Sequence, residues 1–217
     1  MNDIVFLEPN YIKAIPFTTS DVIAEYAEVK HHAIQVTIAK HENDLKEFGK
    51  VSFEMRASEN SKTGQSEKIY HLNEQQATLL ITYLKNTEPV RNFKKELVRQ
   101  FFLIRSELMK RQMSKIQLKP VRRELTDVIA ENPDKGKWSY KLYTDLAYKF
   151  VLGKNAAQLR KDRNAKQKAA AVDFMTSEEI QAVTKVTNQI SVLHEMGMGY
   201  DQIKAMLLNK KLVGNIA

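Results

Sequence analysis

Five histidines, no cysteine and 26 carboxylates are the raw material for chemistry in this chain of 217 residues. Without a thiol there is no cysteine nucleophile, no Cys-type zinc site and no disulfide framework. His31 and His32 are the one adjacent histidine pair. Neighbouring residues diverge on a helix, and no carboxylate stands at the i+4 position from His32, so the spacing does not make a metal site. His71 and Glu67 are a weak acid–base pairing inside what reads as a β-hairpin, where an ordinary structural role is the plainer reading. No nucleophile stands beside a base. These residues predict no catalysis, no metal, no cofactor and no small-molecule substrate.

The chemistry left is recognition by contact, and one helix carries the candidates. In the stretch 29–48, Ile34, Ile38, His41 and Leu45 fall on one side at helical spacing. His32, Gln35, Val36, Ala39, Lys40 and Asn43 point away from it. Amide and small side chains on an outward face can read base edges, because Gln and Asn match adenine bidentately. The same face can pack on a protein, and an ordinary solvated face is the bland alternative. Arg56, Lys62 and Lys68 on the following hairpin are candidates to hold a phosphate backbone.

Several elements must position that face. Ile4 to Leu7 and Tyr11 to Ile15 are short β-prone runs broken by proline, able to pair as a small hairpin. Thr18, Thr19 or Ser20 can cap a first short helix carrying Val22, Ile23 and Tyr26. A tight break at Ala27 and Glu28 leads into the helix 29–48, closed by Gly49. Over 51–72 Val51, Phe53 and Met55 alternate, and Ile69 with His71 forms the return strand around a polar tip from Glu59 to Ser66. Two short helices followed by a hairpin read as a winged helix-turn-helix. Asn73 with Gln76 makes a capping box for a helix bearing Ala77, Leu80, Ile81 and Leu84. Pro89 then opens the longest helical pattern, running to about Gln117. Val90, Phe93, Leu97, Phe101, Ile104 and Leu108 line one side, with Val98, Phe102, Met109 and Met113 beside them. So wide an apolar face predicts a scaffold helix, and Leu97, Phe101, Ile104 and Leu108 are the candidate seam of a homo-oligomer.

Two pieces, FTTSDVIAEYAEVKHHAIQVTIAKHENDLKEFGKVSFEM and NEQQATLLITYLKNTEPVRNFKKELVRQFF, resemble the Rha family of phage-encoded regulators, often grouped with antirepressors. The resemblance covers roughly Phe17 to Arg111. It implies regulation by binding: an antirepressor that binds a repressor protein in a lysis–lysogeny type switch, or else a regulator that binds operator DNA through helix 29–48 and the hairpin. Further on, YTDLAYKFVLGKNAAQLRK more loosely resembles the C-terminal part of some phage regulators, which implies a partner or assembly module.

The rest of the chain reads as helical. Lys119, Pro120, Arg122 and Arg123 look like a linker, followed by a helix from Glu124 to Glu131. Trp138, Tyr140, Tyr143, Tyr148 and Phe150 alternate with Lys137, Lys141 and Lys149, the composition of a single-strand stacking surface. Leu142, Leu146 and Phe150 at helical spacing favour a small core instead. Asn155 can cap the next helix, KDRNAKQKAAAV reads as a lysine-faced helix or a tether, and Thr176 with Glu179 forms a second capping box. The expected architecture is α+β and mainly helical, with domains at 1–86 and 121–217 joined by a helix over 87–120.

Charge is divided unevenly among these parts. Residues 1–86 hold nine Lys/Arg against twelve Asp/Glu, and residues 87–123 hold eleven against three. The remaining residues carry fourteen against eleven, for a net +8 overall. A basic balance permits nucleic-acid binding, yet the domain with the candidate reader is acidic, which favours a protein partner. No stretch approaches the ~20 apolar residues of a membrane span, and the N-terminus lacks the pattern of a signal peptide. The expected location is the cytoplasm of a bacterial host.

Overall fold

A computed structural model describes residues 3–57, 66–132 and 136–214, the side chains of 210–214 aside. The chain divides into two compact units, Met1–Glu8 with Ala14–Ser106 and Pro9–Lys13 with Glu107–Ala217.

The first unit is α+β. Strand β1 (Phe17–Thr19) leads into α1 (Ser20–Tyr26), α2 (His31–Lys40) and α3 (Glu42–Lys46). The hairpin strands β2 (Ser52–Ala57) and β3 (Ser66–Asn73) follow, then α4 (Glu74–Thr82). The sheet is antiparallel in the order β1-β3-β2, so the return strand of the hairpin lies in the middle. A short strand at Phe17–Thr19 was not expected. Its register, Phe17 opposite Asn73 and Thr19 opposite His71, spends on pairing the threonines that looked like helix caps. Thr19 stands at the N-cap of α1 but makes no capping bond; its hydroxyl serves Asp21 instead. The hairpin expected over residues 4–15 is replaced by a single bridge between Phe6 and Phe17.

The core of this unit joins Ile23, Ile34, Ile38, Leu45, Leu72 and Leu80 with Phe93, Leu97 and Phe101 from the following helix. Ile4 and Val5 close it from the N-terminal side, both backbone N–H groups donating to Gln100 Oε1 at 2.9 and 3.1 Å. The Asn73–Gln76 capping box forms as the sequence predicts. Gln76 also donates to the Leu45 and Gly49 carbonyls, tying the start of α4 to the end of α3. The helix expected over 29–48 is two helices. His41 leaves helical geometry, with φ −113° and ψ 25°, and stacks on Tyr83 at 3.9 Å between ring centroids. The turn before α2 places Glu28 in the left-handed region at φ 54°, a conformation that costs ~1–2 kcal/mol outside glycine.

Helix α5 (Glu88–Glu131) is continuous, with Pro120 inside it. The expected linker at Lys119–Arg123 is therefore helical. Buried Leu118 and Leu125, on either side of it, are spaced as a helix requires to hold one face against the second unit's core. The candidate oligomer seam is not an open surface. Leu97 and Phe101 are buried in the first unit with Ile104 packed against them, and Leu108 is buried as well. The neighbouring stripe is what lies open: Val98 and Phe102 in the first unit, Met109 and Met113 in the second.

The second unit is helical: α6 (Ser139–Leu152), α7 (Ala156–Asp162), a 3-10 turn (Ala171–Phe174), α8 (Ser177–Glu195) and α9 (Tyr200–Gly214). Both expected caps form, Asn155 with Gln158 and Thr176 with Glu179. Of the aromatic run, Tyr143 and Tyr148 are buried while Trp138 is exposed beneath Lys137 and Lys141. The segment read as a lysine-faced helix or tether is neither. It ends α7, turns through Asn164 at φ 50°, and buries Ala171 and Val172. Charged groups pin the unit's first helical turns: Glu107 accepts from the Ser177 N–H and hydroxyl at 2.9 and 2.8 Å. Arg111 donates to Glu107 and to Asn10.

Candidate binding surface on the second helix and hairpin

Helix α2 buries Ile34 and Ile38 and turns its other side outward. His32, Val36, Ala39 and Lys40 are exposed there, as the sequence predicts, and Val36 retains 52% of its accessible surface. Asn43 is exposed too, but it belongs to α3, beyond the break at His41. Gln35 is half-buried and its Nε2 donates to the Lys68 carbonyl at 2.9 Å. That bond fixes the helix to the central strand and withdraws part of the amide from any base edge.

The N-terminal end of α2 is anchored by a partly buried polar relay. The Tyr70 N–H donates to Ser20 Oγ at 2.9 Å, so the serine hydroxyl is left to donate to His31 Nε2 at 2.8 Å. His31 Nδ1–H then faces Glu67 at 3.0 Å. Serine, histidine and carboxylate in this order reproduce the connectivity of a hydrolytic triad. Ser20, however, is wholly buried, so no acyl group can reach its oxygen. The relay ties α1, α2 and β3 together and fixes the angle at which α2 meets the sheet. The pairing weighed between His71 and Glu67 does not form. Four residues along a strand separate groups by ~13 Å; His71 stacks on Phe17 at 4.7 Å instead, and Glu67 serves His31.

Beside α2 lies the hairpin. Arg56 is committed to two carboxylates, Asp21 at 2.6 Å and Glu54 at 2.5 Å. Its pKa rises, first through the bond to Glu54. Burial by itself would raise the Asp21 carboxyl, but bonds from Thr19 and the Val22 N–H together with the Arg56 charge bring it below its ordinary value. A guanidinium so neutralised is a poor phosphate holder. Lys68 is exposed and lies over the Phe53 ring at 4.8 Å, while Lys62 and the tip from Glu59 to Gln65 fall outside the described residues. Every residue of β2 is exposed, Phe53 at 51% and Met55 at 56%. The alternation of Val51, Phe53 and Met55 suggests an inward face, but β2 is an edge strand and only Val51 packs on the core. Phe53 and Met55 thus join the exposed surface, and the alternating pattern alone could not reveal it.

A two-helix element braced on a three-stranded sheet, with an open apolar and weakly charged face, has the make-up of a binding module. Residues 18–106 match the family model described as phage regulatory protein Rha. That segment, 89 of the 217 residues, is similar to the Rha family of phage regulatory proteins. A comparison with curated proteins found no match. Among the described residues no helix is long and apolar enough to cross a membrane, and no cluster of three His or carboxylate side chains is placed to hold a metal ion.

Proposed function

We propose that this chain is a phage regulator that works as an antirepressor in the cytoplasm of the host, binding a phage repressor protein through the outward face of α2 and the adjoining hairpin. The observation that carries the reading is the chemistry of that face. Val36, Phe53 and Met55 each leave half or more of their surface in water, while the hairpin's arginine is already paired with Asp21 and Glu54. Apolar side chains of this kind form the centre of protein interfaces. DNA affinity rests instead on uncompensated cations against phosphates, and residues 1–86 are net acidic. Operator binding is the second reading, favoured by the exposed Lys40, Lys68, His32 and Asn43.

Capture from a lysogen with the tagged full chain, followed by Val36→Glu and Lys40→Glu variants, separates the two. The antirepressor reading expects a repressor protein as the partner, with Val36→Glu weakening capture at least tenfold, about 1.4 kcal/mol, by desolvating a charge in the interface. Recovery of a defined DNA sequence alone, lost in both variants and weakened steeply by salt, would establish the operator reading in its place.

A further inference from the structure

The second unit holds a cavity of about 740 Å³, within the range of sites that enclose a ligand group. Its floor is aromatic: Tyr143 and Tyr200 meet edge to face at 5.6 Å, and Tyr143 lies 5.0 Å from the His194 ring. Leu142 forms part of the apolar wall, and the Glu131 and Glu195 carboxylates stand among the lining residues, which include no lysine or arginine among the described residues.

His194 supplies the independent sign of a ligand. It is 8% exposed and lines the cavity. Its Nδ1 lies 3.2 Å from the Met198 carbonyl oxygen. A carbonyl only accepts, so Nδ1 carries the hydrogen and Nε2 of the neutral ring is an acceptor. That Nε2 is buried without a partner among the described residues. A buried polar atom left unpaired is costly and calls for an explanation. Beyond the cavity an open cleft shares Val128, Glu131 and Glu195 with it and adds Glu124 and Asp127. The cleft also contains Arg123, which is 4.0 Å from Asp127.

The chemistry of the occupant follows from this set. The imidazole acceptor and two carboxylates call for N–H donors carrying positive charge, and the aromatic faces suit a cation on an apolar stem. The acidic extension toward Glu124 and Asp127 favours a chain with a second basic residue over a compact small molecule. We propose that the cavity receives an arginine side chain of a basic polypeptide segment, with the next basic residue resting on the adjoining cleft. The proposal is independent of the antirepressor reading, which concerns the first unit.

The test uses the full chain and a blocked, fluorescein-labelled peptide holding two arginines among glycine, serine and leucine. Anisotropy should show saturable binding, weakened at least tenfold when citrulline, neutral and of the same shape, replaces both arginines. The double variant Glu131→Gln, Glu195→Gln should weaken binding similarly while its circular dichroism and melting stay as in the parent. His194→Phe keeps the ring volume and removes the acceptor, and should weaken binding at an unchanged fold. Equal binding of the citrulline peptide, or full binding by the folded double variant, would overturn the proposal. So would competition by free arginine amide as strong as that of the unlabelled peptide, since the second basic contact would then contribute nothing.

Discussion

Glu107 shows how single residues hold the second unit. Burial alone would raise its carboxyl, but bonds from the Ser177 N–H, the Arg111 guanidinium and the Ser177 hydroxyl outweigh it and leave the pKa below the usual glutamate value. A carboxyl lowered by folding adds stability that is present above its unfolded pKa and is lost as pH falls through the folded one. The group is a third exposed, so solvent screens part of this effect. Glu107→Gln should therefore cost about 1 kcal/mol near neutrality and flatten the fall in stability below about pH 4.5. Urea melts of both proteins from pH 3 to 7 check this; parallel curves would mean the carboxylate does not carry the acid limb.

Among the elements, α5 departs most from expectation. Proline in a helix interior removes one backbone hydrogen bond and crowds the carbonyl four residues earlier, at a cost of ~3 kcal/mol. Pro120 nevertheless lies within one helix from Glu88 to Glu131. Leu118 and Leu125 are buried to either side of it, so side-chain packing supports the helix through the weak point. Pro120 is itself exposed, and alanine there would lose no packing. Pro120→Ala should raise stability, by about 1–3 kcal/mol, in a denaturant melt. A loss of stability would show that the proline's restriction of the unfolded chain outweighs its strain in the helix.

At the scale of the whole chain we propose self-association through the open side of α5. Phe102 keeps 71% of its surface exposed and Val98 lies one turn before it. Phe101 is fully buried in the first unit's core. The two phenylalanines therefore make a matched pair of tests. Phe101→Glu buries an unpaired charge and should unfold the first unit, at a cost on the order of 4 kcal/mol or more. Phe102→Glu should leave the fold intact and halve the mass seen by light scattering. A monomer mass for the parent protein would remove the self-association proposal.

What the sequence determined by itself was local. Asn73 with Gln76 and Thr176 with Glu179 form the capping boxes their spacing predicts, and Asn155 caps its helix as expected, because a capping bond joins groups three residues apart. The outward set His32, Val36, Ala39 and Lys40 was legible for the same reason, since helical period fixes which side chains share a face. Tertiary structure decided the rest. Whether Phe101 or its neighbour Phe102 is buried depends on where α2 and α4 lie. That Phe53 and Met55 face water follows from the position of β2 at the sheet edge. Ser20, His31 and Glu67 meet only because β3 crosses beside both helices, and His194 shares a cavity with Glu131 only through packing of α8 against α5. Spacing along a chain encodes neighbours within an element, but burial and long-range partners are set when separate elements compete to cover the same apolar surface.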